Sequence, residues 1–337
     1  MLDSSSYGSM GLQNDAAIPL MSVVIPTEAR YEVLKQALTA LEAQTVQRLE
    51  IIVIDSTVNK DPSATAQLRN CPGIKYVDLA AMTAKRSMQA ARNVGLVLAT
   101  APIVAFLDDD CIAQTDWAER LLEAFGDDSV TAVGGRIVDR RWSVDTPGEA
   151  QAGLVGVLKP QGVVRSGFFS VGTDPISVEH LPGGNCAVRK AAALEIGGFD
   201  VTYGGTAFME DTDFFYRLHK SGHHLLFHPL AEVYHLAASK TGHGFSSRTA
   251  PKTVMWELRN LAMFRIHVAG VPRAHVALDL GRQVLRRGLG GLVAAVHGMA
   301  LGFWGVTTGV LSARARSVDG IADAKQLIRQ AGLELEG

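Results

Sequence analysis

The feature that most constrains this chain is a succession of short apolar runs, each stopped by a proline or an aspartate, with helix-spaced apolar residues between them. Residues 21–26 (MSVVIP) read as a buried strand ended by proline. Leu34, Ala37, Leu38 and Leu41 then recur at helical spacing. Residues 51–54 and 74–77 are further apolar runs, closed by Asp55 and Asp78. Met88, Ala91 and Gly95 share one helix face, and a fourth run, 102–107, ends in Asp108-Asp109-Asp110. Strand and helix alternating at short intervals predict an α/β domain with a doubly wound, mainly parallel sheet. Sheets of that kind bind ligands outside the carboxyl ends of their strands, where Asp55, Asp78 and the aspartate triplet all fall.

The pattern loosens between Arg140 and His180, a glycine- and proline-scattered excursion. Order returns at 181–189 (LPGGNCAVR). A helix is expected over 209–220, then strands near 225–227 and 232–235, and mostly helix after Thr249. The expected division is a loose arm over 1–20, a catalytic domain over 21–245 with donor-binding (21–138) and acceptor (139–245) halves, and a helical region over 250–337. Hydrophobic residues make up 47% and charged residues 20%, enough for a sizeable core. A net charge of −2 argues against a nucleic-acid binder that works by bulk charge. Three scattered cysteines without C-x-x-C spacing, and a start without basic-then-apolar order, fit a reducing compartment and no signal peptide.

Three successive carboxylates after a buried strand repel one another, and a divalent cation relieves that repulsion. Magnesium and manganese take oxygen ligands, with one or two carboxylates and substrate phosphates completing the shell. The other reading is a solvated turn before a helix. A second acidic group, Glu210-Asp211 with Asp213 and Arg217, falls at a helix start, where the macrodipole favours negative charge. Asp213 and Arg217 suit an i,i+4 pair. Asp211 is either such a helix-start acid or a general base that takes the proton of an attacking hydroxyl.

The order of motifs resembles glycosyltransferase family 2, inverting enzymes with the nucleotide-diphospho-sugar transferase fold known as GT-A. The matching pieces are VVIPTEAR at 23–30, VIDS at 53–56, AARNVGLVLA at 90–99, AFLDDDC at 105–111 and VGGR at 133–136. They continue with LPGGNCAVRK at 181–190, IGGFD at 196–200, MEDTDFFYRLHKSGH at 209–223 and HPLAEVYH at 228–235. The resemblance implies that Pro26, Thr27, Glu28 and Arg30 line a nucleotide pocket, joined by Asp108 and Asp109. Asp55 would accept a hydrogen bond from the base, and Arg92 would lie near the diphosphate, the alternative being a pair with a helix acid. Asp108 and Asp110 form the D-x-D pair for Mn2+ or Mg2+, with Asp110 the first ligand. His235 stands where relatives place a metal-binding histidine. Asp211 matches the catalytic base, with Glu210 as the next candidate. Gly183, Gly184 and Asn185 match a loop near the donor sugar and acceptor.

The implied donor is a nucleotide diphosphate sugar of the UDP, GDP or dTDP type, and the acceptor a hydroxyl on a glycan, a lipid-linked carrier or a small molecule. Trp256, Arg259 and Asn260 resemble the family's aromatic-x-x-Arg-Asn element, which touches the acceptor or packs the tail. Residues 288–313 carry no charge, lie between arginines and are rich in glycine. A span, a packed hairpin and an interfacial segment all remain open, and a peripheral helix pair on the inner face of a membrane is the expectation. A nucleotidyltransferase is the first rival, but residues 26–30 lack its glycine-rich loop. A processive synthase is disfavoured by the missing Q-x-x-R-W, and a non-catalytic nucleotide-sugar binder by the intact acids.

Overall fold

The computed structural model describes residues 18–139, 149–236, 251–287 and 319–334, with Trp304 and Thr307. Strands β1 (Met21–Thr27), β2 (Leu49–Asp55), β3 (Ile74–Asp78) and β4 (Ile103–Leu107) lie side by side in the order β3-β2-β1-β4, all parallel. Helices α1 (Tyr31–Glu42), α2 (Pro62–Asn70), α3 (Leu79–Met82) and α4 (Met88–Leu98) connect them. Strand residues alternate between two cores. Val24, Ile52, Ile54, Val104 and Phe106 face one core, with Ala91, Val94 and Leu98 of α4. Val23, Ile25, Ile51, Val53 and Ala105 face the other, with Leu34, Leu38 and Leu41 of α1. Gly95 brings α4 down onto β1, because a Cβ there would stand 2.3 Å from Val24 Cγ1. That close approach fixes the height of Arg92, one turn earlier on the same helix.

The chain continues through β5 (Cys111–Ala113), α5 (Trp117–Ala124) and β6 (Val130–Asp139). The excursion is not structureless: it carries β7 (Val157–Lys159) and β8 (Val163–Arg165), an antiparallel pair, and β9 (Ile176–Val178). Then come β10 (Asn185–Arg189), α6 (Lys190–Glu195), α7 (Glu210–Lys220) and β11 (His224–His235). The sheet order is β3-β2-β1-β4-β10-β6-β11-β5, with β9 beside β11.

The sheet is mainly parallel, as expected, with antiparallel strands in its second half. β10 runs antiparallel to both β4 and β6, and β5 and β9 run antiparallel to β11. β10 arrives from the excursion and not over a crossover helix, so the handedness rule for strand–helix–strand units does not set its direction. The strands expected near 225–227 and 232–235 are one strand, irregular between His228 and Val233 where it pairs with β6.

Beyond residue 250 the described elements are α8 (Pro251–His267), α9 (Arg273–Arg287) and α10 (Gly320–Gln330). α8 and α9 share a small core of Leu258, Ala262, Val276 and Leu280. α10 does not stand apart as a tail. Its Ile321, Ala324 and Ile328 enter the core beside α4 and Phe199, and a Cβ on Gly320 would meet Asn93 Nδ2 at 2.1 Å. Among the described residues no helix is long and apolar enough to cross a membrane. Of residues 1–20 only 18–20 are described, and of the charge-free stretch 288–313 only Trp304 and Thr307.

Candidate active site

The carboxyl ends of β1 and β4 open into a cleft of about 1130 Å³ whose opposite wall is the 181–184 loop, the start of α7 and part of the excursion. The aspartate triplet divides its three side chains among three surroundings. Asp109 is fully buried, accepts from Thr27 Oγ1 at 2.6 Å and from Arg30 Nε at 3.1 Å, and does not reach the cleft wall. Burial pushes its carboxyl up to about 7, against the pull of Arg30. Asp108 and Asp110 both line the cleft. Arg30 Nη1 lies 2.9 Å from Asp110 Oδ2, so this guanidinium faces two of the acids from the cleft side.

His235 reaches the triplet through sheet register. It is paired with Cys111 on β5 and with Asp139 on β6. Its Nε2 lies 3.2 Å from Asp110 Oδ1 and its Nδ1 2.8 Å from Asp139 Oδ2. Burial alone would lower the imidazole, but the hydrogen bond and charge of Asp110, with Asp139 behind, raise it to about 9. Asp110 is correspondingly lowered: burial opposes its charge, and His235 and Arg30 outweigh burial. Ligand atoms of Asp110, Cys111 and His235 lie within 4.8 Å of one another. Burial holds the Cys111 thiol well above its ordinary range, so without a metal it is protonated, while Asp110 and His235 offer a carboxylate oxygen and an imidazole nitrogen. A carboxylate with an imidazole whose far nitrogen rests on a second carboxylate fits a divalent cation of the manganese type.

Arg92 is 3% exposed and lines the cleft from α4. Its Nη2 lies 3.1 Å from Asp108 Oδ1, and its Nη1 contacts Glu210 Oε1. Burial works against its charge, and Glu210 and Asp108 together hold the guanidinium above its ordinary value. Of the two sequence readings for Arg92, these contacts are those of the pair with a helix acid. Glu210 is 6% exposed, and burial pushes its carboxyl up to about 8 against the pull of Arg92.

Asp211 is half-buried at the first turn of α7. Its Oδ2 accepts from the Gly183 N–H at 2.9 Å, and its Oδ1 from the Thr212 N–H at 2.7 Å. The turn that delivers it is strained: Ala207 and Met209 have φ of 58° and 74°, the left-handed region that side chains with a Cβ avoid. Asn260 Nδ2 donates to Gly204 O at 2.9 Å and Arg259 Nη1 to Thr202 O at 3.0 Å, while Trp256 fills the space beside Gly204 and Gly205. The aromatic-x-x-Arg-Asn element thus holds this turn from α8, and Trp256 also lines the cleft. Deeper in α7, Asp213 pairs with Arg217 at 2.6 Å and accepts from Tyr203 at 2.6 Å.

The structure therefore gathers Pro26, Thr27, Glu28, Arg30, Arg92, Asp108, Asp110, Gly183, Gly184, Glu210, Asp211 and His235 around one cleft. Three candidates stand apart. Asp55 is fully buried under Tyr31 and Tyr76, which donate to it at 2.9 and 2.7 Å, and it also accepts from the Thr57 N–H. Asn185 is fully buried, donates to Arg136 O and Ala231 O, and accepts from Trp117 Nε1 at 2.7 Å. Asp109 is the third. Sequence reasoning missed Asp139 behind His235 and His180 on the cleft wall. Only knowledge of strand pairing would have found Asp139.

The family description for glycosyl transferase family 2 matches residues 22–224. A pre-mycofactocin glycosyltransferase of Mycobacterium tuberculosis is 30% identical over 223 residues, covering 64% of this chain and 42% of that protein. A glucosyl-dolichyl phosphate glucuronosyltransferase of Haloferax volcanii is 28% identical over 195 residues, covering 55% and 57%. The chain spans about half the length of the curated relatives it matches. Among solved structures, GalNAc-T7 with UDP, GalNAc and Mn2+ superposes with a TM-score of 0.56 at 17% identity, over 95% of this chain and 59% of that one. The mannosyltransferase PcManGT of Pyrobaculum calidifontis, in complex with GDP-Man and Mn2+, gives 0.53 at 17% identity, over 95% and 82%. The fold is that of the GT-A glycosyltransferases, and with a family match running from β1 to the start of β11 the chain belongs to glycosyl transferase family 2.

Proposed function

We propose that the chain transfers a glycosyl group from a nucleotide diphosphate sugar to a hydroxyl acceptor in glycan or polysaccharide synthesis, by a single displacement that inverts the anomeric centre. The observation that carries this reading is the meeting, in one cleft, of the Asp110–His235 pair and the half-buried Asp211 carboxylate. The solved relatives carry UDP with GalNAc, or GDP-Man, each with Mn2+, which supports a donor of the same chemical class.

Asp110 and His235 would hold a divalent cation. Carboxylate oxygens suit magnesium and manganese alike, while imidazole suits transition metals, so the mixed pair favours manganese. The cation, when bound, neutralises charge growing on the leaving diphosphate. Asp211 is the general base. Its two oxygens each accept one backbone N–H, which aims the carboxylate and leaves lone pairs facing the cleft. Glu210 is the poorer candidate, because it is buried against Arg92. Gly183 and Gly184 keep the opposite wall low: a Cβ on Gly183 would stand 2.9 Å from Asp211 Cβ, and one on Gly184 2.4 Å from Asp108 Oδ2.

The stretch 288–313 supports contact with a membrane surface, where the acceptor would be lipid-linked. Donor hydrolysis and transfer, assayed with UDP-, GDP- and dTDP-sugars with and without manganese, test the central reading. Product of retained anomeric configuration, or equal turnover with chelator, would sink the inverting, metal-dependent scheme.

A further inference from the structure

His180 is a buried polar side chain of this cleft for which the scheme above has no use. It is 1% exposed and follows β9, three residues ahead of Gly183, with its backbone N–H donating to Gly156 O at 3.1 Å. The backbone is thus pinned, and the ring lies edge-on to Phe168, with centroids 5.2 Å apart and planes at 80°. Among the described residues, neither ring nitrogen meets a side chain or carbonyl at full hydrogen-bonding geometry. The charges of Asp211 and Glu179, and a weak approach of the ring to the Arg165 carbonyl, act against burial. Burial lowers its pKa, so the imidazole is neutral and offers one N–H donor and one lone pair.

A purely packing role is poorly served by this residue. A phenyl or branched aliphatic side chain would fill the space beside Phe168 without desolvating two nitrogens, and unpartnered buried polar groups are uncommon because they are costly. The orphaned atoms are also gathered here. Thr206 Oγ1 and Gln89 Oε1 are buried without partners among the described residues, and both residues line the same cleft as His180. Polar atoms that find no protein partner around one cleft are what a polyhydroxylated ligand would satisfy.

We propose that His180 hydrogen-bonds a sugar hydroxyl in the cleft beside Asp211, and so discriminates among sugars. This rests on the transferase reading. The hydroxyl belongs to the transferring sugar or to the acceptor, and the two sources separate in the same experiment.

Calorimetry is performed with UDP, GDP, UDP-glucose and GDP-mannose in manganese on the full chain and on His180→Phe and His180→Gln. Initial rates are then measured with glucose and mannose as acceptor probes. If the transferring sugar is the source, His180→Phe weakens the nucleotide sugar about threefold to tenfold and leaves the free nucleotide unchanged. If the acceptor is the source, donor affinity holds and the acceptor KM rises by that factor while kcat changes less. In either case His180→Gln, which keeps a donor and an acceptor, recovers part of the loss, and it serves alone should the phenyl variant not fold. Unchanged donor affinity and acceptor KM in a folded variant overturn the inference while the transferase reading stands. An equal loss for free nucleotide and nucleotide sugar also overturns it, since that marks a general disturbance. Wild-type protein that binds none of these four ligands, and neither dTDP nor a dTDP-sugar, in manganese defeats the transferase reading, and the inference with it.

Discussion

The N–H of Gly183 donates to Asp211 Oδ2 at 2.9 Å, joining the glycine loop ahead of β10 to the first turn of α7. One carboxylate thus both fixes the loop and faces the cleft. The Asp211→Asn change keeps an oxygen for Gly183 but removes the basic group. Turnover is expected to fall by about two to four orders of magnitude, with nucleotide affinity within about twofold of wild type. Initial rates paired with calorimetry measure both, and near-normal turnover would return Asp211 to the role of a helix-start acid.

Asp139 would act on a bound cation through His235, whose Nδ1 it holds at 2.8 Å. Asp110→Asn is expected to reduce nucleotide affinity in manganese to the value seen with chelator. Asp139→Asn, which leaves both ligands in place, should lower manganese affinity by about 10- to 100-fold. Titration of free Mn2+ by electron paramagnetic resonance reads this without any turnover. Equal manganese affinity in wild type and both variants would contradict the site.

Gly184→Ala would place a Cβ 2.4 Å from Asp108 Oδ2 and 2.6 Å from its Cγ, and Arg92 holds that carboxylate from the other side. The expected cost is about 1–3 kcal/mol of stability, together with displacement of Asp108. Urea unfolding of the two proteins gives the comparison, and a shift in midpoint below experimental error would count against it.

Glu210 carries a pH signature. Its folded carboxyl is raised to about 8 from an ordinary value of 4.5. Between those values the folded state holds a proton that the unfolded chain has released, so stability falls as pH rises from about 4.5 towards 8. Glu210→Gln removes this contribution, and its melting temperature should decline less over the same range. Parallel Tm-against-pH curves for the two proteins would refute it.

Strands β1 and β4 were legible in the sequence because they are buried on both faces and read as apolar runs, as does the buried end of β2, while the edge strand β3 shows only Ile74 and Val77 buried. Asp108 and Asp110 were legible because they follow a strand end, and Glu210 and Asp211 because they open a helix. Their partners were not. His235 meets Asp139 through the register of β11 on β6, across 96 residues of chain. Arg30 finds Asp109 and Asp110 about eighty residues on. Asp55 sits at the strand end the alternation indicates, yet the tyrosines that cover it come from α1 and β3 and leave no periodic trace. Asn185 sits beside two cleft glycines in sequence, but on β10 its side chain turns inward to Trp117.

The packing of α10 changes how a membrane experiment must be built. Cutting the chain after α9 would strip Ile321 and Ile328 from the core beside α4 and unfold the site-bearing domain along with any membrane contact. Exchanging residues 288–318 for a polar linker of equal length keeps that helix. This variant is expected to retain its Tm while losing flotation with anionic liposomes, and flotation equal to wild type would place the contact elsewhere.

α10 also ties the far end of the chain to one wall of the cleft, because it packs on α4 and α4 carries Arg92. A substitution at Ile321 or Ile328 would therefore reach the cleft through shared core, although neither residue lines it. In this molecule the last described helix is a foundation of the site.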